Sequence, residues 1–174
     1  MDVDELNKAL ESMGDVHDVD AETKSLFELK ECLGFVLNQE YFAIPILKVE
    51  EIRRWEIPSK LPDTASYVKG VINIRGAIVP VIDLRERFIG VEQDYKSTTV
   101  VIVIRVFYPD KKDKIIGIVV DSVTNVIQYS DDNLKKMPEI NESMAEGFIS
   151  GILNHEENAY FMLKTDSLLN INQF

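Results

Sequence analysis

The chain has 174 residues, of which 45% are hydrophobic and 9% aromatic, so it can bury a packed core. Its formal net charge of −11 argues against nucleic acids and acidic membrane surfaces as partners, because both repel an acidic protein. No apolar run approaches the roughly 20 residues of a membrane-spanning helix, and the start MDVDELNKAL has acidic residues where a signal peptide has basic ones. We therefore expect a soluble, unexported protein.

Residues 1–29 are predicted to form a flexible acidic arm. They hold nine acidic and two basic side chains, a net charge of −7, so most of the negative charge of the chain lies here. A short helix is indicated by the helical spacing of four apolar residues, Val3, Leu6, Leu10 and Met13. Because the arm has few other large apolar side chains to bury, we expect its removal to leave the remaining fold intact.

From residue 30 onwards the pattern indicates short strands. Two apolar runs flank Asn38-Gln39-Glu40 in LKECLGFVLNQEYFAIPIL, which predicts a β-hairpin. In the next segment, LKVEEIRRW, an extended chain points Val49, Glu51 and Arg53 to one side, so an apolar residue shares a face with two charges. Trp55 ends this segment, and it either widens an exposed surface or covers the core.

The run VINIRGAIVPVIDL predicts a second hairpin. Arg75 and Gly76 stand between two apolar strands, and a two-residue connection with glycine suits a tight turn in which φ is positive. The turn raises Arg75 to the tip of the hairpin, outside the core. Pro80 has no N–H group to donate, which implies a sheet edge or a bulge in the second strand.

The second half of the chain continues in the same way. TTVVIVIRV is typical of a buried strand, and KIIGIVVDSVTNVIQYS predicts two strands with a bend near Asp121. GFISGILNHEENAYFML predicts another hairpin, with its turn at residues 155–158, and SLLNI a short final helix. Nine or ten short strands without a long helix predict an all-β protein built as one or two small barrels.

The sequence carries no motif for catalysis or metal binding. GxSxG, P-loop, GxGxxG and HExxH patterns are all absent. Cys32 is the single cysteine, and its apolar neighbours predict a small buried side chain rather than a reactive thiol. His17 and His155 have no ligand residues beside them, so both are predicted to be solvated, and we expect no metal or other cofactor.

Two carboxylates at strand ends leave an enzymatic alternative open. Asp83 follows one apolar run and Asp121 another, and two such acids can in principle form an acid/base pair. An aspartate at a strand end more often accepts hydrogen bonds from backbone amides, or pairs with a nearby arginine such as Arg85 or Arg87. We favour the structural role and predict a binding module without enzymatic activity.

Four segments resemble the CheW family of coupling proteins in bacterial chemotaxis: LKVEEIRR, YVKGVINIRGAIVPVIDLRERF, TTVVIVIRV and IIGIVVDSVTNV. The resemblance covers about residues 30–170. It implies two intertwined five-stranded SH3-like β-barrels around a shared apolar core, with short helices; we assign residues 30–91 to the first barrel and residues 92–174 to the second. It also implies a cytoplasmic adaptor without catalytic activity, whose partners are transmembrane chemoreceptors and the histidine kinase CheA.

The same resemblance implies which residues contact these partners. On the receptor side the matching positions are Val49 and Glu51 in KVEEIR and Arg75 in NIRG. On the kinase side the segment LKKMPEI resembles the contact that closes the ring of adaptor and kinase, with the matching positions Lys135, Glu139 and Ile140. A coupling protein of a related pathway, for gliding, pili or another output, remains an alternative, and so does a small β-barrel hydrolase or ligand-binding protein that uses Asp83 and Asp121.

Overall fold

The computed structural model describes residues 29–137 and 146–169. Within these ranges the chain forms one short α-helix, α1 (Leu84–Ile89), and four 3-10 helices, Ile46–Lys48, Asp131–Asn133, Glu146–Phe148 and Thr165–Leu169. The strands are β1 (Lys30–Leu37), β2 (Glu40–Pro45), β3 (Val49–Arg54), β4 (Val68–Ile74), β5 (Ala77–Asp83), β6 (Val100–Val106), β7 (Lys114–Val120), β8 (Ser122–Tyr129), β9 (Leu134–Lys135), β10 (Ile149–His155) and β11 (Asn158–Leu163). The predicted all-β class is confirmed.

The strands form two mixed sheets. The first sheet has the order β8-β1-β2-β11-β10-β9, and the second has the order β3-β6-β7-β5-β4. Two pairs are parallel, β2 with β11 and β5 with β7, and the other pairs are antiparallel. The first sheet has six strands instead of five because the two-residue β9 adds to its edge.

The sheets are intertwined along the sequence. Strands β1 and β2, at the start of the described chain, pair in the first sheet with β8 and β11 from its second half. The second sheet is made of β3 to β7, which follow each other in the middle of the chain. The predicted division of the barrels between residues 91 and 92 therefore falls inside the second sheet, between α1 and β6, and does not coincide with the division between the sheets.

The largest apolar cluster draws on both sheets. Phe35 and Phe42 come from the first sheet, and Ile102, Ile104 and Ile118 come from the second. Each sheet has in addition a smaller cluster of its own, one around Cys32 and Tyr160 and one around four valines, Val81, Val101, Val103 and Val119. Burial of these side chains is the main favourable term in folding, and the shared cluster couples the stability of the two sheets.

Two predicted hairpin turns occur as expected. Arg75 and Gly76 connect β4 to β5 with φ of 49° and 85°, so both residues have the left-handed conformation of a type I′ turn. The backbone N–H of Gly76 donates to Asn73 Oδ1 at 3.0 Å, which closes the turn. Asn38 and Gln39 connect β1 to β2 in the same way, with φ of 47° and 70°.

Pro80 lies at a local sheet edge, as its missing N–H requires. It pairs with Val71 of β4, but the parallel pairing of β5 with β7 begins one residue later, at Val81. At Pro80 the strand therefore has a neighbour on one side only within the described residues. On the side towards β7, where Pro80 has no partner, its missing N–H group therefore costs the sheet no hydrogen bond.

Helix α1 was not predicted from the sequence. Asp83 at the end of β5 is its N-cap, and its carboxylate accepts hydrogen bonds from the backbone N–H groups of Arg85 at 3.1 Å and Glu86 at 3.4 Å. Gly90 ends the helix in the left-handed conformation, with φ of 79°.

The predicted final helix, SLLNI, overlaps the 3-10 helix Thr165–Leu169. Residues 1–28 and 170–174 lie outside the described chain. No helix of the described chain has the length and apolar character to cross a bilayer.

Candidate docking site

The predicted receptor-side residues lie at the open margin of the second sheet. Strand β3 is an edge strand, since it pairs only with β6 among the described residues. Its side chains alternate: Val49, Glu51 and Arg53 are half-buried, and the three residues between and after them are exposed, Glu50, Ile52 and Arg54. Glu51 and Arg53 share one face as predicted, but Val49 does not: a register shift separates it from Glu51, and Val49 pairs with Ile104 on the side of the shared core.

An ion pair joins β3 to the β4–β5 hairpin. Arg75 Nη2 lies 3.4 Å from Glu51 Oε2, and the Arg75 side chain is 87% exposed at the tip of the hairpin. Arg53 Nη1 lies 3.6 Å from the other carboxylate oxygen of Glu51, so one carboxylate faces two guanidinium groups. Two of the three predicted receptor-side residues are thus brought into direct contact.

Backbone hydrogen bonds join the chain after β3 to β4, the other edge strand of this sheet. The N–H of Ser59 donates to Val71 O at 2.9 Å, and the N–H of Val71 donates to Ser59 O at 2.8 Å. Gly70 lies beside this bridge with φ of 135°, and a Cβ atom there would collide with the carbonyl group of Ser59. The sheet therefore curls until the chain after β3 meets β4, and a glycine is required where they meet.

A small groove follows this seam. It has a volume of about 190 Å³. Its walls include Arg53 and Arg54 of β3, Val71 and Asn73 of β4, and Pro58 of the loop between these strands.

Val49 lies at the other end of β3, where it packs against the shared core. A register shift separates Val49 from Glu51 in the pairing with β6. The structure thus places Val49 on the same strand as Glu51, with a bulge between them.

A second ion pair borders this face. Arg105 Nε on β6 donates to Glu50 Oε1 at 2.6 Å, and both side chains are about one-third exposed. This hydrogen bond, together with the charge of Arg105, lowers the pKa of Glu50. The face therefore combines apolar side chains with paired charges of both signs, which is typical of protein-binding surfaces rather than of anion-binding sites.

Asp83 and Asp121 are held by a buried arginine. Arg85 Nε and Nη2 donate to the two carboxylate oxygens of Asp83 at 3.0 and 2.8 Å, and Arg85 Nη1 donates to Asp121 Oδ1 at 3.0 Å. Burial disfavours the charged form of Arg85, but the hydrogen bonds to both carboxylates outweigh it and raise its pKa. Asp83 is completely buried, so neither of its oxygens can reach a substrate, and the structural role that we favoured for it fits the geometry.

This network also connects the two sheets. Asp121 Oδ2 accepts a hydrogen bond at 2.7 Å from the backbone N–H of Asn38, in the turn between β1 and β2. Arg85 lies in α1, directly after β5 of the second sheet. Because Asp121 accepts hydrogen bonds from both Asn38 and Arg85, it links the first sheet to helix α1, which follows β5 of the second sheet.

Trp55 covers the core of the second sheet. Its ring stacks on Tyr95 with centroids 3.9 Å apart and an angle of 6° between the planes, and both rings pack against the valine cluster. The Cζ atom of the Arg85 guanidinium lies 5.1 Å from the Tyr95 ring centroid. Burial and the neighbouring Asp83 raise the pKa of Tyr95. Of the two roles left open for Trp55, covering the core agrees with these contacts.

The remaining predicted site residues fall on the first sheet or outside the described chain. Lys135 is exposed on β9, the edge strand next to β10. Glu139 and Ile140 lie in residues 138–145, outside the described residues.

The described residues hold no group of three or more possible metal ligands. Cys32 is buried as predicted, and burial raises the pKa of its thiol to about 11.

The comparisons with known proteins agree with this fold. The CheW-like domain family matches residues 31–173. The chain is 34% identical over 140 residues to the chemotaxis protein CheW of Klebsiella aerogenes. The aligned region covers 80% of this chain and 81% of that protein. It is also 28% identical over 127 residues to the protein PilI of Pseudomonas aeruginosa, which covers 72% of this chain and 67% of that one.

A solved structure extends the likeness to three dimensions. The crystal structure of the scaffolding protein TtCheW from Thermoanaerobacter tengcongensis matches with a TM-score of 0.72 and 26% sequence identity. The match covers 82% of this chain and 89% of that chain. The likeness therefore includes both sheets and most of the described residues.

Proposed function

The chain belongs to the CheW-like family of chemotaxis proteins, and we propose that it is a non-catalytic adaptor that couples chemoreceptors to the histidine kinase CheA. In this role it acts in the cytoplasm, at arrays of receptors. The observation that carries the proposal is the Glu51–Arg75 ion pair, displayed beside the bridge between β4 and the chain after β3.

The pair is suited to exchange its partner. Its nitrogen and oxygen are 3.4 Å apart and Arg75 is almost fully exposed, so the pair contributes little to the stability of the fold. A receptor carboxylate can replace Glu51 beside Arg75, and a receptor lysine or arginine can approach Glu51, at small cost to the adaptor. On the opposite face of the same edge strand, the exposed Ile52 adds apolar area to this edge of the sheet.

The kinase contact is proposed for a different part of the molecule. Lys135 lies on an edge strand of the first sheet, whereas the receptor-side residues lie on the second. Together with Glu139 and Ile140 it would meet the regulatory domain of CheA. A receptor signal then reaches the kinase through the adaptor only if receptor docking favours one arrangement of the kinase over another.

The decisive experiment exchanges charges on the receptor face. We expect Arg75→Glu and Glu51→Lys each to lower binding to a receptor cytoplasmic fragment about tenfold, because each puts a like charge where the receptor presents a complementary one. Co-sedimentation with the fragment and CheA, with kinase activity as the second readout, measures both couplings. Lys111→Glu, an exposed charge change in the β6–β7 turn, is the matched control.

Two results would contradict the proposal. Equal co-sedimentation of wild type, Arg75→Glu and Glu51→Lys excludes this face as the receptor site. A chain that binds the receptor fragment but never changes CheA activity is not a coupling protein. The far-ultraviolet circular dichroism of each variant establishes that the sheets remain folded.

The similarity to PilI favours one alternative, an adaptor of a related chemosensory pathway. The same face and the same family fold would serve it, with a different receptor. Co-sedimentation with receptor fragments from each chemosensory system of the source cell separates the two, since only the cognate receptor is expected to respond to Arg75→Glu.

A further inference from the structure

Strand β3 has one open backbone edge. It pairs with β6 and has no second strand beside it among the described residues. The N–H of Trp55 donates to Thr99 O at 3.3 Å, in line with the pairing of Arg53 with β6. Because backbone groups alternate in direction along a strand, those of Ile52 and Arg54 point away from β6. An edge of this kind can receive a strand from another chain.

The order of charges along β3 matches its own reverse. The strand reads VEEIRR, with two acidic residues before Ile52 and two basic residues after it. If a second copy runs antiparallel with Ile52 opposite Ile52, Glu50 of each copy faces Arg54 of the other, and Glu51 faces Arg53. Opposite charges directly across from each other stabilise an antiparallel pair, whereas like charges destabilise it.

This register is the one in which all four charges find an opposite partner. A ladder forms only when the outward backbone groups of one copy face those of the other, so the register can change only in steps of two residues. A shift of two in one direction places Glu51 opposite Glu51, and a shift in the other direction places Arg53 opposite Arg53. Charges usually protect an edge strand from pairing, but both signs in this order favour one pairing with a second copy.

The charged side chains of β3 are available for these contacts. Arg54 is exposed and makes no ion pair with a described residue. Glu50 accepts from Arg105 through Oε1, so its Oε2 is open to a second guanidinium. Glu51 contacts Arg75 at 3.4 Å, but Arg75 is exposed at the hairpin tip and can move aside at small cost.

Two exposed apolar residues flank β3. Leu47 is 89% exposed and Ile57 is 86% exposed, more than the other exposed large apolar side chains of the described residues. Leu47 lies five residues before Ile52, and Ile57 lies five residues after it. A two-fold axis at Ile52 therefore brings Leu47 of each copy towards Ile57 of the other. Their burial adds an apolar contribution at both ends of the paired strands.

We propose that the chain forms a two-fold dimer in which β3 of each copy pairs antiparallel with β3 of the other, with Ile52 at the axis. The N–H of Ile52 in each copy donates to the carbonyl oxygen of Ile52 in the other, and charge pairs lie on both sides. The dimer is expected to be weak, because one short strand per copy is a small interface and each copy carries a net charge of −11. This inference does not depend on the adaptor role.

Sedimentation velocity of the full chain tests the dimer, over a range of about 1 to 500 μM that suits a weak interface. Wild type is expected to show a monomer–dimer equilibrium. Arg54→Glu and Glu50→Arg are each expected to raise the dissociation constant at least about tenfold, because each dimer then has two like-charge contacts in place of two ion pairs. Circular dichroism establishes that each variant is folded.

A mixture of the two variants tests the register. In a mixed dimer of Arg54→Glu with Glu50→Arg, opposite charges again face each other at positions 50 and 54, so we expect it to associate about as strongly as wild type. The matched control is Arg54→Glu mixed with Glu51→Arg, which has the same total charge. Because position 54 does not face position 51 in this register, the control mixture is expected to associate no better than Arg54→Glu alone.

Three results overturn the proposal. The first is a wild type that stays monomeric over the whole range, and the second is a dimer that neither Arg54→Glu nor Glu50→Arg weakens. The third is a mixture of these two variants that associates no better than its components, which places the interface in another register or on another surface. Occupation of the edge by residues 1–28 or by a different protein leaves wild type monomeric and gives the first result.

Discussion

At the scale of single residues, Arg85 is the charge on which the largest part of the local structure depends. Its guanidinium bonds Asp83 and Asp121, and Nη1 also donates to the backbone oxygen of Asp94 at 2.9 Å. Four acceptor atoms from three parts of the chain therefore meet at one side chain. A buried ion pair of this kind contributes little compared with an apolar replacement of both partners, but loss of one partner is costly.

Arg85→Met tests this dependence. The substitution keeps a side chain of similar length but leaves the Asp83 carboxylate buried without a cation, so we expect the free energy of unfolding to fall by about 3–5 kcal/mol. Urea denaturation followed by circular dichroism measures the loss. Arg75→Met is the control, because its exposed pair is expected to contribute at most about 1 kcal/mol. A loss of the same size in both variants would show that burial of the arginine does not matter.

A second buried ion pair makes stability depend on pH. Lys69 Nζ contacts Glu86 Oε2, and both side chains are largely buried. Burial raises the pKa of Glu86, but the hydrogen bonds from Lys69 and Ser66 and the charges of Lys69 and Arg85 outweigh it, so that its pKa lies below the ordinary value of 4.5. A carboxylate with a lowered pKa stabilises the fold at neutral pH, and this contribution is lost as the pH falls through and below 4.5.

We therefore expect Glu86→Gln to be less stable than wild type at pH 7 and to approach wild type as the pH falls below about 4.5. Urea unfolding at pH 7, 5, 4 and 3.5 follows the difference between the two proteins. Glu92→Gln, an exposed carboxylate at the rim of the same cleft, is the control and should track wild type throughout. A constant difference between Glu86→Gln and wild type over this range would mean that the pair contributes no pH dependence.

At the scale of secondary structure, the seam between the chain after β3 and β4 positions the docking face. The Ser59–Val71 bridge brings the β4–β5 hairpin next to β3, and only then can Arg75 reach Glu51. Gly70 permits this approach, because its backbone has a positive φ and lies against Ser59. The ion pair is therefore a consequence of the seam and not of the strands alone.

Gly70→Ala is expected to open this seam. The added methyl group collides with the Ser59 carbonyl and the residue must hold a positive φ, so we expect a loss of about 2–4 kcal/mol in unfolding free energy. Receptor binding should fall as well, because Arg75 moves away from Glu51. Gly76→Ala has no such collision and controls for the turn. If Gly70→Ala has the same thermal unfolding curve as wild type, followed by circular dichroism, the backbone at the seam accommodates the methyl group without loss of stability.

The local elements were predictable where a turn residue marks them. Arg75-Gly76 and Asn38-Gln39 identify their hairpins, because few residues adopt a positive φ at small cost. Helix α1 was missed since VIDLRERF continues an apolar strand. Asp83 followed three residues later by Glu86 is a capping pattern and was the available signal, although Glu86 in fact pairs with Lys69.

The contact between Glu51 and Arg75 was beyond prediction from the residue pattern. The resemblance to the family places both residues on one face, but their pairing needs the seam at Ser59, which joins segments 12 residues apart through backbone groups. Nor does the sequence reveal that Asp83 and Asp121 share Arg85. Contacts of this kind depend on the order of strands in the sheets, and side-chain periodicity carries information about one strand at a time.

At the scale of the whole molecule, the two sheets are one folding unit. Strand β2 pairs with β11, although most of the described sequence lies between these two strands. The largest apolar cluster takes side chains from both sheets. Arg85 and Asp121 add a polar link between them. Neither half of the sequence contains a complete sheet, so neither can bury its apolar faces alone.

This architecture makes a prediction about cleavage between residues 91 and 92. We expect the fragments 1–91 and 92–174 to be largely unfolded when separate, because β1 and β2 then lack β8 and β11, and β4 and β5 lack β7. Mixed at equal concentration, they are expected to recover the circular dichroism of the intact chain and a single cooperative transition, at a midpoint that rises with concentration since association now accompanies folding. A matched mixture in which the second fragment carries Asp121→Ala should associate more weakly, because Arg85 and the Asn38 amide of the first fragment both lose an acceptor. A cooperative thermal transition in either fragment alone would show instead that one half folds independently.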